Sequence, residues 1–238
     1  MVLLVAIPAC GGNPEPQSIL EKALAAHGGH EVLSQFPAIT IQFQGTHSAK
    51  GLDSPMTGTS VALGAEKNKT TIKLEVLGKK TTLTTVFAGE QGWIRDDKQT
   101  REMTPDERAE AREQSHAAWV SRLFPLKDPQ YTLTALDSTL VDDKPAWGLQ
   151  VARPGYRPIN LYFDKQTSLL VKVETRVRDE TNQQEVTEET ILSKYTDVQN
   201  TRQPMRLLVK RDGQMVMDVE ITEVKLAATV DEKTFAKP

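Results

Sequence analysis

The sequence predicts an α+β fold, mostly antiparallel β, in which one meander sheet curls into a partial barrel with helices plugging its mouth. Period-two alternation of apolar and polar residues recurs from Ile39 to Ile221, which is strand spacing and not helix spacing. Helical spacing is confined to two segments, one near the N-terminus and one in mid-chain, each opened by a capping signal. Roughly ten strands joined by short turns then form a sheet too large to stay flat, because each strand is twisted relative to its neighbour. Two helices cannot cover ten flat strands, so the sheet must curve, and its concave side holds packed side chains or a ligand. A helix of about twenty residues runs about 30 Å, close to the length of a ten-residue strand, so the central helix can lie along one strand.

The first helix is expected at Ser18-Ile19-Leu20-Glu21, a capping box, with Ile19, Leu20, Ala23, Leu24 and Ala26 as its apolar stripe. Gly28-Gly29 ends it before a short second turn from Glu31 to Phe36, and Pro37 stops helical structure. Strands follow around Ile39, Ile41 and Phe43, then Val61 and Leu63, then Ile72, Leu74 and Val76, then Leu83 and Phe87. Gly78-Lys79 marks one reversal and Asp96-Asp97-Lys98, after Trp93, another.

Thr104-Pro105-Asp106-Glu107 is a second capping box with proline at the first helical position, where a missing N–H costs nothing. Its helix is expected to run to about Phe124, with Ala109, His116, Val120, Leu123 and Phe124 near one face, until Pro125 and Pro129 break it. Strands resume at Tyr131 to Thr134, at Trp147, Leu149 and Val151, and at Ile159, Leu161 and Phe163. Leu169, Val171, Val173 and Val177 alternate with Lys172, Glu174, Arg176 and Arg178, one face buried and the other wet. Two more strands cover Glu185 to Tyr195 and Met205 to Arg211, and Asp212-Gly213 predicts a primed hairpin turn. Met215, Met217, Val219 and Ile221 share one parity but Val224 and Leu226 take the other, which predicts a β-bulge near Glu223.

Composition excludes several classes of function. Charged residues make up 26% of the 238, hydrophobic ones 38% and aromatic ones 5%, as in a soluble globular chain. Twenty-nine basic against 32 acidic residues give a net charge of −3, without a basic run, so nucleic acid is not an expected partner. The single cysteine rules out an internal disulfide framework.

That cysteine, Cys10, closes an apolar start, Met1 to Ala9, and precedes the tether Gly11-Gly12-Asn13-Pro14-Glu15-Pro16. Nine residues are too few to span a bilayer. Val5-Ala6-Ile7-Pro8-Ala9-Cys10 resembles a degenerate bacterial lipobox, so residues 1–17 are expected to be an export-signal remnant and tether with Cys10 as the lipidation site. The missing charged n-region points to a start codon upstream of Met1. Gly11 stands where many inner-membrane lipoproteins carry aspartate, so an outer-membrane anchor is the expectation. Residues 18–238 form the single expected folded domain.

An N-terminal helix, a meander, a mid-chain helix and a second meander containing Leu161-Tyr162-Phe163-Asp164-Lys165-Gln166-Thr167-Ser168-Leu169-Leu170-Val171 resemble the LolA/LolB superfamily of lipoprotein carriers, whose divergent members are called outer-membrane lipoprotein-sorting proteins. The resemblance covers Ser18 to the end. It implies an unclosed half barrel with a helical lid in the periplasm of a bacterial cell envelope, shielding the acyl chains of lipids or lipoproteins in an apolar cavity. It also implies an arginine that locks the lid, for which Arg95, Arg153 and Arg176 are candidates. The alternative is a lipid-anchored envelope interaction or stress-sensing module with a filled barrel, a protein partner and no transport role.

Catalytic machinery, metal ligands and cofactors are not expected. The sequence has no Gly-x-Ser-x-Gly elbow, phosphate-binding glycine loop or Cys/His nucleophile pair. His27-Gly28-Gly29-His30 supplies two imidazoles across a helix end without a third ligand, and His116 lies mid-helix among apolar residues. Asp96-Asp97 and Asp142-Asp143 fall in turns, where carboxylates are ordinary, and Glu188-Glu189 is a third acidic pair. The candidates for an apolar cavity are Phe43, Leu74, Phe87, Trp93, Trp119, Leu123 and Phe124, on strand faces or under the lid, though burial in a core is the default fate of such side chains.

Overall fold

The computed structural model describes residues 14–49, 51–179 and 184–238. Helix α1 (Pro16–Ala26) and the single turn α2 (His30–Leu33) precede six strands: β1 (Ala38–Ala49), β2 (Leu52–Leu63), β3 (Lys67–Val76), β4 (Lys79–Ala88), β5 (Gln91–Arg95) and β6 (Thr100–Glu102). Helix α3 (Pro105–Val120) and a 3-10 turn (Phe124–Lys127) lead into the second set. This comprises β7 (Thr132–Val141), β8 (Lys144–Ala152), β9 (Ile159–Asp164), β10 (Leu170–Arg178), β11 (Glu185–Val198), β12 (Thr201–Arg211) and β13 (Gln214–Ala227), with a last 3-10 turn at Glu232–Phe235.

All thirteen strands belong to one antiparallel sheet, in the order β6-β5-β4-β3-β2-β1-β13-β12-β11-β10-β9-β8-β7. Each strand pairs with its sequence neighbour except at the centre, where β1 meets β13, so the two meanders fuse along one seam. The edges β6 and β7 are not joined, the barrel stays open, and α3 connects one edge to the other. The sequence suggested about ten strands; three-residue β6 is too short to show a period.

The Thr104 capping box forms: the Glu107 N–H donates to the Thr104 hydroxyl and the Thr104 N–H donates to Glu107. The expected box at Ser18 does not. Pro16, with φ already preset for a helix, starts α1 a turn earlier behind Glu15, which makes no side-chain cap. Helix α3 ends at Val120 rather than near Phe124, because Pro125 has no N–H for the Ser121 carbonyl, and the chain leaves through Leu123 at φ 65°. Ala109 lies exposed, off the predicted apolar face.

Asp212-Gly213 forms the two-residue primed turn, with both residues at positive φ. The reversal expected at Gly78-Lys79 lies one residue earlier, at Leu77-Gly78, where an exposed leucine takes the left-handed position. The predicted bulge in β13 is present: Gln42 faces Glu223 and Phe43 faces Ile221, leaving Thr222 unpaired. A bulge in β10 was not foreseen. It sets Leu170, not Leu169, in the core and turns Val171 to the other face, against Tyr162, Ile191 and Leu208.

The main core fills only part of the concave face. Ile19, Leu20, Ala23 and Leu24 of α1, Leu33 of α2, and Leu123, Phe124 and Leu126 pack on Leu149, Val151, Ile159, Leu161, Phe163 and Leu170 of β8–β10. Over β1–β5 and β11–β13, α3 is the helix left to cover the sheet. On the convex face, Phe235 folds back over Val86 and Trp93.

Candidate functional site

Between α3 and the concave face lies a cavity of about 400 Å³. Its sheet wall carries Ile39 and Ile41 of β1, Leu207 of β12, and Ile221 and Val224 on either side of the β13 bulge. The β13 bulge is what allows residues of both parities to face the same space. The roof is Glu110, Gln114, Ala117, Ala118 and Ser121, a stripe at helical spacing. Small side chains at 117, 118 and 121 leave the volume that larger ones would fill, and that is the physical origin of the cavity.

A second hollow of about 840 Å³ adjoins it and shares Asn68, Glu110 and Gln114. Thr70, Thr85, Arg101, Glu107 and Arg178 line it beside Ile72, Leu83 and Phe87. More of the exposed lining of the larger hollow is polar than in the smaller one, which makes it the wetter place and a poorer site for an apolar ligand.

One flank of α3 is fastened to the second meander by polar contacts. Arg157 Nη1 pairs with Glu110 at 2.8 Å and donates to the Arg176 carbonyl at 3.0 Å, while the Arg157 N–H donates to Glu113 at 3.0 Å. Arg112 donates to the Gly155 carbonyl at 3.1 Å, and Arg178 pairs with Asp106 at 3.4 Å.

The far end of the cavity is polar in a different way. Arg122, just past the end of α3, donates from Nη2 to the Phe36 carbonyl at 2.7 Å, and among the described residues it makes no ion pair. Burial pushes its pKa down to about 10. His27 is buried with Nδ1 at 2.8 Å from the Ala23 carbonyl, and the Leu170 N–H donates to its Nε2 at 3.4 Å. These contacts suit a neutral imidazole, and burial lowers its pKa. The Tyr195 hydroxyl donates to the Leu170 carbonyl at 2.5 Å, and Arg202 Nε is buried with no hydrogen-bond partner.

Of the residues singled out from sequence, Phe87 lines the second hollow. Phe43 and Leu74 sit on the concave face in a separate cluster, where Gly58 makes room: a Cβ there would stand 2.3 Å from the Phe43 ring. Leu123, Phe124 and Trp119 belong to or pack on the main core, the last two rings meeting edge to face at 4.9 Å. Trp93 lies on the opposite, convex face under Phe235. Cys10 falls outside the described residues.

Among the arginines considered for the lid, Arg176 lines the first cavity and bonds Thr187, Arg153 bonds Gln130, and Arg95 is exposed at the end of β5. Arg122, which sequence reasoning passed over, is the one that ties the end of α3 to the strand-entry loop.

The acidic pairs have structural partners. Asp96 caps its turn, Asp142-Asp143 form a left-handed turn, and Glu188 and Glu189 pair with Arg211 and Lys172 at 2.9 and 2.8 Å. Among the described residues, no group of three His, Cys, Asp or Glu could hold a metal ion, and no helix is long and apolar enough to cross a membrane.

No protein-family model and no curated protein matches the chain. Solved structures do. A LolA superfamily protein from Nitrosomonas europaea superimposes with a TM-score of 0.60 at 14% identity, over 94% of this chain and 98% of that one. A domain assigned to the outer membrane lipoprotein-sorting proteins of Vibrio parahaemolyticus gives 0.55 at 11% identity, over 92% and 95%. A DUF1329 family protein from Desulfovibrio piger gives 0.54 at 11% identity, over 94% and 98%. The fold is LolA/LolB-like, an open half barrel with a helical lid.

Proposed function

We propose that the chain is a non-enzymatic lipid-binding protein of the bacterial cell envelope, which shields an acyl chain in the cavity beneath α3. The observation that carries this reading is the cavity itself. Apolar side chains of β1, β12 and β13 form one wall, the roof turns small at Ala117, Ala118 and Ser121, and the volume falls within the roughly 300–1,000 Å³ of small-molecule sites. An open interior of this kind favours a ligand carrier over a module with a filled barrel. The fold it shares with lipoprotein-sorting domains supports a finer version, in which the acyl chain belongs to a lipoprotein on its way to the outer membrane.

Protein purified without detergent should carry lipid detectable by native mass spectrometry, released on organic extraction. A clean apo mass, together with no uptake of an apolar fluorescent probe by the extracted protein, would falsify the reading. Periplasmic location and acylation at Cys10 are part of the same proposal. Metabolic labelling with a fatty-acid analogue tests them, and label retained by Cys10→Ser would remove the anchor.

A further inference from the structure

Arg122 brings a cationic group to a cavity whose sheet wall is apolar at Ile39, Ile41, Leu207 and Ile221, and among the described residues it has no carboxylate partner. Its side-chain hydrogen bond is to the Phe36 carbonyl, its remaining guanidinium donors stay open to solvent or a ligand, and among the described residues no carboxylate lies within ion-pair distance. A partly buried charge without a counter-ion is less stable than a paired one, because it has given up water without gaining a partner. The carbonyls at the end of α3 offset part of that loss, because cations are favoured near a helix C-terminus. Among the described residues the other arginines that line the cavity have carboxylate partners: Arg157 pairs with Glu110, Arg176 with Glu185 and Arg202 with Asp197. The same cavity also holds a buried Arg202 Nε without a partner. Of the four arginines that line the cavity, Arg122 is the one without a carboxylate partner among the described residues.

The volume narrows the occupant further. A cavity of about 400 Å³ lies at the small end of the roughly 300–1,000 Å³ of small-molecule sites, which suits one alkyl chain. We infer that the cavity takes a single-chain amphiphile with an anionic head, a fatty carboxylate, whose head group pairs with the Arg122 guanidinium while its chain lies along Ile39, Ile41, Leu207 and Ile221. The planar carboxylate matches the guanidinium fork in two parallel hydrogen bonds. This rests on the apolar-binding reading above and adds the head group to it.

The test is calorimetric titration of the delipidated full chain at neutral pH with dodecanoate, dodecyl phosphate and dodecanol. Dodecanoate is expected to bind about ten- to a hundredfold more tightly than dodecanol, the range of a charge-assisted hydrogen bond. Arg122→Gln keeps a donor for the Phe36 carbonyl but loses the charge, and should bring dodecanoate down to the affinity of dodecanol. Arg122→Lys should keep part of the preference. Equal affinity for acid and alcohol in the unaltered chain, or a preference that survives Arg122→Gln, overturns the assignment and leaves apolar binding standing. A preference for dodecyl phosphate over dodecanoate overturns the carboxylate. Failure of all three to bind overturns the lipid-binding reading as well. If Arg122→Gln does not fold, as shown by loss of its thermal transition, the comparison of the three ligands on the unaltered chain and on Arg122→Lys still decides.

Discussion

The imidazole of His116 stacks on the ring of Tyr156, with centroids 3.8 Å apart and planes inclined by 24°. Tyr131 lies on a second side, its hydroxyl 3.4 Å from Nε2, and Nδ1 has no partner. Arg112 sits 4.0 Å above the Tyr156 ring and Arg153 5.4 Å from both tyrosine rings. Burial first, then the charges of Arg153 and Arg112, push the His116 pKa down to about 4. In the unfolded chain the same group titrates near 6.5. The unfolded state therefore binds the extra proton between these values. The stability tied to neutral His116 is complete above about pH 6.5 and is lost as pH falls towards 4, up to about 3 kcal/mol. Thermal melts across that window should show a falling Tm, and His116→Phe, which keeps a flat ring between the tyrosines, should flatten the fall. Part of the slope should remain, because His27 is displaced in the same direction. Identical profiles for the two proteins would sink this account of His116.

Thr104→Ala should cost about 1 kcal/mol, the usual worth of an N-cap hydroxyl, read as a shift in urea midpoint at unchanged slope. Glu107→Gln tests the other half of the box. The bidentate bond from Arg101, at 2.7 Å to each oxygen, holds the Glu107 pKa down to about 2. Its contribution is present above about pH 4.5 and lost as pH falls through 2, so Glu107→Gln should converge with the unaltered chain only in strong acid, while Thr104→Ala, which lacks a group that does not titrate, should stay below it. A Thr104→Ala protein as stable as the parent would mean that the N-terminus of α3 is held by the Asp106 and Glu110 contacts alone.

Phe235 is buried against Val86 and Trp93 on the convex face, away from both hollows. Phe235→Ala should destabilise by about 3 kcal/mol, towards the low end for a buried phenylalanine because the segment can partly collapse. Its affinity for an apolar probe, measured well below the melting transition, should match that of the parent. A parallel loss of affinity would show that the convex face communicates with the cavity.

The strands, the Thr104 cap and the Asp212-Gly213 hairpin were legible because each depends on local backbone chemistry: a two-residue period, a reciprocal pair of donors and acceptors, or tolerance of positive φ. Even the β13 bulge could be read, since Ile221 and Val224 cannot face the same space without one. The site was not legible in the same way. Alternation places Trp93 and Phe87 on strand faces but does not say which face is concave, and the C-terminal segment that covers Trp93 is brought there from far along the chain. Large apolar residues drew attention, yet Leu123 and Phe124 are core, and the cavity exists where Ala117, Ala118 and Ser121 are small. Arg122 carried no signal because its meaning lies in the absence of a partner, which only tertiary structure reveals.

Ala117 gives the most direct test of the cavity. It faces the cavity from α3, partly buried and packed against the main core. Ala117→Trp would place an indole in space that is now open, and no backbone change is needed because alanine and tryptophan both fit a helix interior. Filling a cavity restores dispersion contacts along its lining, so the variant should melt at the parent's Tm or slightly above it. Uptake of an apolar fluorescent probe should fall by about tenfold or more, the loss expected when buried contacts of about 1.4 kcal/mol disappear. Ala109→Trp, on the exposed side of the same helix, should bind like the parent and controls for the added aromatic group. Normal uptake by Ala117→Trp would move the ligand to the neighbouring hollow lined by Phe87, and Ala111→Trp on that side of α3 would then be the variant that loses binding.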